Sequence, residues 1–214
     1  MPGSPLRRHR DRQRRGSVLR LAEHFPQLRV HWVVLSSSTV RAAEARASAE
    51  RFLRGVRHKE VVIEDFRNSF FPFEGARIKE FFEELKGDVE PDLVLTHTRS
   101  DLHQDHRLVC ELTWNTFRSH LILEQEIPKY DGDLGAPNLF VPLEQAHCEA
   151  KVTNLLECFP SQRDKHWFTR ETFMALMRLR GIESSAPSGY AEAFYCRKAV
   201  LDLAHHGGSS TAPA

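Results

Sequence analysis

Pro91-Asp92-Leu93-Val94-Leu95-Thr96-His97-Thr98-Arg99-Ser100-Asp101-Leu102-His103-Gln104-Asp105-His106 is the stretch that decides the fold. The apolar run Leu93-Val94-Leu95 has the length of a short buried strand, and Leu108, Val109, Leu112 and Thr116 follow at helical spacing. A strand therefore hands over to a helix through a loop that holds three histidines and two aspartates. In open α/β sheets the crevice for ligands lies at the carboxyl ends of the strands, where this loop sits. His103 and His106 are spaced i, i+3 and share one face if the first helical turn has begun. Asp105 lies between them and could orient an imidazole. The plain alternative is a capped helix start with exposed histidines, because Asp and Ser are ordinary N-cap residues.

Outward from this stretch, strands and helices alternate. Ser17 to about Pro26 reads as a short helix, and Val30, Trp32, Val33, Val34 and Leu35 as a buried strand ending in Ser36-Ser37-Ser38. An alanine-rich helix is expected from about Val40 to Leu53, with Arg46 and Glu50 as i, i+4 neighbours and Gly55 as its stop. Val61-Val62-Ile63 is a further strand. Phe66 to Gly75 is a loop with aromatic anchors, and Ile78 to Leu85 is helical. Beyond the central helix, Glu124 to Asn138 is dense in turn formers and reads as a short strand followed by a long surface loop. Helices are expected over about 143–158 and 161–180, and a last strand from Ala193 to Leu201. This order predicts βαβ units and a doubly wound, mostly parallel sheet.

At 214 residues, with 41% hydrophobic and 28% charged residues, the chain has the size and balance of one soluble domain. No apolar run approaches the roughly 20 residues that span a bilayer, and the arginine-rich start is not followed by a signal-type apolar region. The four cysteines form no Cys-x-x-Cys pair, which favours a reduced, cytoplasmic protein with cysteines as small core residues. The net charge of +1 argues against a dedicated nucleic-acid binder. Charge is nevertheless uneven. Residues 1–16 hold six arginines against Asp11, so the rest of the chain is net −4. The basic segment alone would give only non-specific binding to anionic polymers. The expected organisation is a basic segment over 1–16, a domain over 17–203, and a small, polar tail over 204–214 in which His205-His206 is a weak metal candidate.

From Ser17 to about Leu201 the chain resembles the LmbE-like, or PIG-L, family of zinc-dependent N-deacetylases. The resemblance rests on the Ser-rich strand end followed by Arg41 and Glu44, on Pro91-Asp92-Leu93-Val94-Leu95-Thr96-His97, and on Asp101-x-His103-x-Asp105-His106. Ile127-Pro128-Lys129-Tyr130-Asp131-Gly132-Asp133-Leu134-Gly135 and Arg178-x-Arg180-Gly181 resemble one bacterial branch. It implies a Rossmann-like three-layer sandwich and one catalytic Zn²⁺ that activates water and polarises an amide carbonyl. The implied substrate is a small N-acetylated amino-sugar conjugate. Among the residues, His106 would be a metal ligand, His103 the acid, and Asp105 its orienting partner. Arg41, Asp101 and His97 would face substrate, though Arg41 could equally pair with Glu44 one helical turn on and His97 could equally be a hydrogen-bonded structural residue. Asn68 stands where relatives tend to carry an acidic substrate contact.

The chain departs from the family at its start. The family's first strand ends in His-x-Asp-Asp, which provides two zinc ligands and the general base. No such pair occurs in residues 1–35. The first strand is therefore expected to be missing or disrupted, and the chain to be catalytically impaired with weak or no metal binding. Residues Ser4 to Gly16, written in suitable synonymous codons and read one base later, give Pro-His-Ser-Asp-Asp-Ile-Glu-Ile-Gly-Ser-Gly-Gly. The hypothesis that residues 1–16 are an out-of-frame reading follows from this. It fails if the gene encodes no His-x-Asp-Asp in any frame upstream of Ser17.

Overall fold

The computed structural model describes residues 17–36 and 38–200. The arginine-rich segment, Ser37, the His205-His206 pair and the Leu201 end of the expected last strand lie outside the described residues.

Helix α1 (Ser17–His24) leads into strand β1 (Arg29–Val34), whose β-branched and aromatic residues suit a pleated, half-buried surface. Helix α2 (Thr39–Phe52) starts where the Ser38 hydroxyl accepts the Arg41 amide at 3.5 Å. It ends just before Gly55, whose φ of 95° lets the chain reverse. Strand β2 (His58–Ile63) then pairs parallel with β1, from Arg29 opposite His58 to Val34 opposite Ile63. The expected Arg46–Glu50 neighbours do not pair, because Glu50 is held by Lys59 at 2.6 Å.

The aromatic loop contains a 3-10 turn at Phe71–Phe73 before helix α3 (Gly75–Asp88). Strand β3 (Leu93–His97), helix α4 (Gln104–Thr116) and strand β4 (Leu121–Gln125) follow as a parallel βαβ unit. Three later features differ from expectation. Leu139–Pro142 is a strand, β5, hidden in sequence by its brevity and terminal proline. Helix α5 (Gln145–Cys158) falls as expected, but α6 (Arg170–Glu183) begins well after residue 161. Pro160 opens a 3-10 turn, and the Thr169 hydroxyl, which accepts the Thr172 amide, marks the true start. The last strand, β6 (Ala191–Tyr195), is shorter than expected.

Among the described residues the strands form two sheets, β1-β2 and β3-β4-β6-β5. The pairs formed by β1 to β4 are parallel, while β6 runs antiparallel to both β4 and β5. Helices α3 and α4 pack together, and their core holds Phe66, Ile78, Phe82, Leu112 and Ile122. On the other side α5 packs against α2 and α6, around Leu143, Val152, Phe173 and Met177. This is the layered α/β architecture expected. Among the described residues β1-β2 and β3-β4-β6-β5 share no hydrogen-bonded pair of strands. Cys110, Cys148 and Cys158 are buried free thiols. No described helix is long and apolar enough to cross a membrane.

Gly181 fixes how α6 meets β6. A methyl group there would lie 2.1 Å from the Gly189 carbonyl oxygen, a backbone atom that cannot swing aside. Gly181→Ala is expected to destabilise the fold by about 1–3 kcal/mol through overpacking. Urea unfolding checks this, and a midpoint unchanged from the parent would refute the close approach.

Candidate active site

Strand β3 delivers His97 to its carboxyl end, and the loop Thr98–Leu102 turns the chain into α4, with His103 at the N-cap position. Asp101 organises this turn. Its Oδ1 accepts the His103 amide at 2.8 Å, the two-residue reach of an Asx turn. Its Oδ2 meets His106 Nδ1 at 2.9 Å. Lys129 Nζ, from the long loop after β4, lies 3.2 Å from Oδ1. Asp101 is completely buried, at 0% exposure. Burial pushes its carboxyl up, but the His106 hydrogen bond and charge, the His103 amide and Lys129 together outweigh it, leaving the pKa at about 2.

Asp101, expected to face substrate, has no solvent contact in the structure, and both of its oxygens are engaged, one of them with His106. Asp105, expected to orient His103, bonds two backbone amides of the aromatic loop. Asp105 Oδ2 accepts the Ser69 amide at 2.5 Å and Oδ1 the Phe71 amide at 3.2 Å. It clamps the aromatic loop, including the left-handed Ser69 at φ 67°, to the first turn of α4. Of the two aspartates, it is Asp101 that holds a histidine ring, that of His106.

The three histidines do come together. His97 and His106 stack with centroids 3.9 Å apart and planes 1° from parallel, and His103 lies 4.6 Å from His106 at 32°. Burial, then the neighbouring His106, pushes His97 down to about 3, so its imidazole is neutral. The Nδ1 atoms of His97 and His103 are buried and have no hydrogen-bond partner among the described residues.

Arg41 stands on the wall of an apolar cavity that it shares with Ser36, Trp167 and Phe168, and none of the three histidines lines that cavity. Its suggested pairing with Glu44 is not formed, because both Glu44 oxygens are taken by Ser161, from the amide at 2.9 Å and the hydroxyl at 2.6 Å. Asn68 is exposed and bonds only its neighbour Ser69 at 3.0 Å.

Sequence reading missed Lys129 and Asp133 as parts of this site. Lys129 bonds Asp133 as well as Asp101, and Asp133 accepts the Leu102 amide at 2.7 Å, so the long loop is stapled to the histidine loop. The available signal was a lysine spaced two and four residues from aspartates in a turn-rich segment. Arg180 anchors the base of the same loop through Glu126, at 2.5 and 2.8 Å, and the Gly135 carbonyl at 2.9 Å.

Could these residues hold the zinc ion that the resemblance implies? His97, Asp101 and His106 each bring a possible ligand atom within 4.8 Å of the others. The directions disagree with that proximity. Imidazole lone pairs lie in the ring plane, so two parallel stacked rings do not aim at one ion. Asp101 is already bound to a lysine, which repels a cation. Only His106 fits: Asp101 holds Nδ1, and Nε2 is the nitrogen left to bind metal, the usual carboxylate–histidine arrangement. A zinc site needs three protein ligands. The described residues do not make one as they stand.

A family model described as GlcNAc-PI de-N-acetylase, PIG-L, matches residues 8–117. The comparison with curated proteins gives no match. Among solved structures, the conserved protein TT1542 from Thermus thermophilus is 16% identical, with a TM-score of 0.60 over 88% of this chain and 90% of that one. The 4-carboxy-2-hydroxymuconate hydratase GalB from Pseudomonas putida KT2440 is 17% identical, with a TM-score of 0.62 over 88% and 93%. The N,N'-diacetylchitobiose deacetylase from Pyrococcus horikoshii is 16% identical, with a TM-score of 0.58 over 84% and 76%. At such identities these likenesses establish a shared fold. The family model, which covers half of the chain and includes the whole histidine loop, goes further: the chain belongs to the PIG-L family.

Proposed function

We propose that this chain is built for N-deacetylase-type hydrolysis of an N-acetylated amino sugar, and that by itself it carries only the proton-donor half of the centre. One observation carries the reading: buried Asp101 fixes His106 through Nδ1 while His103 sits beside it at the start of α4. A group that must protonate a departing amine nitrogen has to be held at a defined point, and both the helix start and the Asp101–amide bond hold His103 there. The first amides of α4 also give the site a positive potential that favours a developing oxyanion. Lys129 and Asp133 keep the covering loop in register over these groups.

The general base and the remaining metal ligands have no counterpart among the described residues. Zinc is the ion that family membership favours, with His106 as its one ligand here. The GalB likeness is a reminder that the fold also carries a hydratase, so fold alone does not select hydrolysis. A cytoplasmic location remains part of the proposal and rests on cysteine usage.

Purified chain should contain well under one equivalent of zinc by elemental analysis. It should release amine from an N-acetylglucosamine conjugate at no more than a trace rate. One equivalent of zinc together with robust release would overturn the half-centre. A chain with no preference for an N-acetylated conjugate over the free amine, measured by ligand-observed NMR, would overturn the substrate class.

A further inference from the structure

The far end of α4 carries a second concave site. A cavity of about 480 Å³ lies between α3 and the turn that joins α4 to β4, and only polar and charged residues line it. With α4 13 residues long, this end is roughly 20 Å from the histidine loop at its start. None of the three clustered histidines lines the cavity.

Charge dominates its wall. Helix α3 contributes Lys79, Glu83 and Lys86, and the turn after α4 contributes Arg118. Glu83 accepts a hydrogen bond from Lys79, and Lys86 stands 3.9 Å from it. The Lys79 bond first, and then the charges of Lys79, Lys86 and Arg118, hold the Glu83 carboxyl below its ordinary value. Three permanent cations thus share one carboxylate, which leaves two positive charges unmatched at the wall. Cations gathered in a cleft raise the local concentration of anions.

Capping of α4 does not account for these cations. The carbonyls at a helix C-terminus attract positive groups, and three of them are met here. The Asn115 carbonyl accepts from the Arg118 guanidinium at 3.1 Å, the Phe117 carbonyl from His120 Nδ1 at 3.3 Å, and the Arg118 carbonyl from Lys198. Lys79 and Lys86 take no part in this. Lys79 reaches Glu83 and the Thr116 hydroxyl, the latter at 3.1 Å. Lys86 is too far from Glu83 for a hydrogen bond. Arg118 gives Asn115 only one of its N–H donors. Charged donors are therefore left over, and Asn115 and Ser119 add neutral ones to the same wall.

We propose that this cavity binds a sugar phosphate, with the phosphate monoester held between Lys86 and Arg118. A dianion matches the two unmatched charges, and lysine and arginine donors suit its oxygens. The carrier's hydroxyls suit Glu83 as an acceptor and Asn115 and Ser119 as partners, whereas an apolar carrier would find no apolar wall. The volume is that of a small-ligand pocket. An extended polyanion fits less well. Nucleic acid or an anionic bilayer needs cations spread across an open face, and α3 also presents the exposed acids Glu80, Glu84 and Asp88.

The test is calorimetric titration of the full chain at low salt with glucose 6-phosphate, with glucose, and with glucuronate, which carries a single negative charge. Glucose 6-phosphate should bind saturably and about tenfold or more tighter than glucuronate, and glucose should not bind. Lys86→Gln and Arg118→Gln change exposed side chains and leave the core intact. Each should weaken binding by about tenfold, the loss of one charge-assisted bond, while Arg46→Gln, an exposed cation on α2, should not. No saturable binding, affinity for glucuronate within a few-fold, or equal weakening by Arg46→Gln would each overturn the proposal. Tighter binding of single-stranded DNA or of phosphatidylserine vesicles, lost in Lys86→Gln, would overturn it in favour of an extended polyanion. The cavity shares no residue with the histidine centre, so the outcome is independent of the deacetylase reading.

Discussion

Asp101→Asn is expected to be the most damaging single change near the site, lowering stability by about 3–5 kcal/mol. The substitution is nearly isosteric, so the loss comes from charge. Lys129, whose side chain is only 9% exposed, loses the partner at 3.2 Å and keeps Asp133, while His106 loses the carboxylate on Nδ1. For a chain of this size the loss corresponds to a melting temperature lower by roughly 6–20 °C. The double substitution Asp101→Asn/Lys129→Met should be markedly less unstable than the sum of its parts, because it removes the stranded charge along with its partner. Additive losses would show that the two groups do not interact.

The same carboxylate sets a pH signature. Its folded pKa, about 2, lies below the ordinary 3.8. Stability from this group is therefore fully present above about pH 4 and is lost as the pH falls through 4 toward 2, amounting to roughly 2 kcal/mol. Denaturant midpoints measured from pH 6 to pH 2.5 should fall less steeply in Asp101→Asn than in the parent. Parallel curves would remove Asp101 from the account.

Arg180→Met is expected to cost a similar 3–5 kcal/mol, for a different reason. Arg180 and Glu126 are both almost wholly inside, with side chains 7% and 4% exposed. The guanidinium spans Glu126, Glu183 and the Gly135 carbonyl, joining α6, the end of β4 and the long loop. Methionine fills the volume but leaves the Glu126 carboxylate buried with only the Tyr195 hydroxyl, at 3.3 Å. Arg180→Lys should recover only part of the loss, since an ammonium cannot reproduce the planar fork. If lysine restored full stability, the charge alone would matter and the geometry would not. Loop release should also show as faster proteolysis between Tyr130 and Pro137, a readout that global stability at low temperature does not supply.

Much of the site was legible because local chemistry fixes it. A short apolar run, a turn-forming aspartate and a helical period place His97, His103 and His106 at one strand end without any long-range information. The roles of the two aspartates were not legible. Asp105 is taken by the amides of Ser69 and Phe71, more than thirty positions away in sequence, and nothing near Asp105 announces that loop. Lys129 shows the same difficulty from the other side: its partners in turn chemistry are visible locally, but Asp101 is not. The late start of α6 is hidden because helical composition continues across Pro160 and the turns that follow it.

Sequence by itself determined the alternation of strands and helices, the position of the histidine loop, and the mismatch between a basic start and an apolar fold. Those follow from periodicity and residue type, which act over a few neighbours. Only the tertiary structure decided that Asp101 holds His106, that Arg41 stands on the wall of an apolar cavity that none of the three histidines lines, and that among the described residues the strands fall into two sheets. Each of these depends on which distant backbone amides, charges and strand edges meet, and the pairing of distant groups is set by packing.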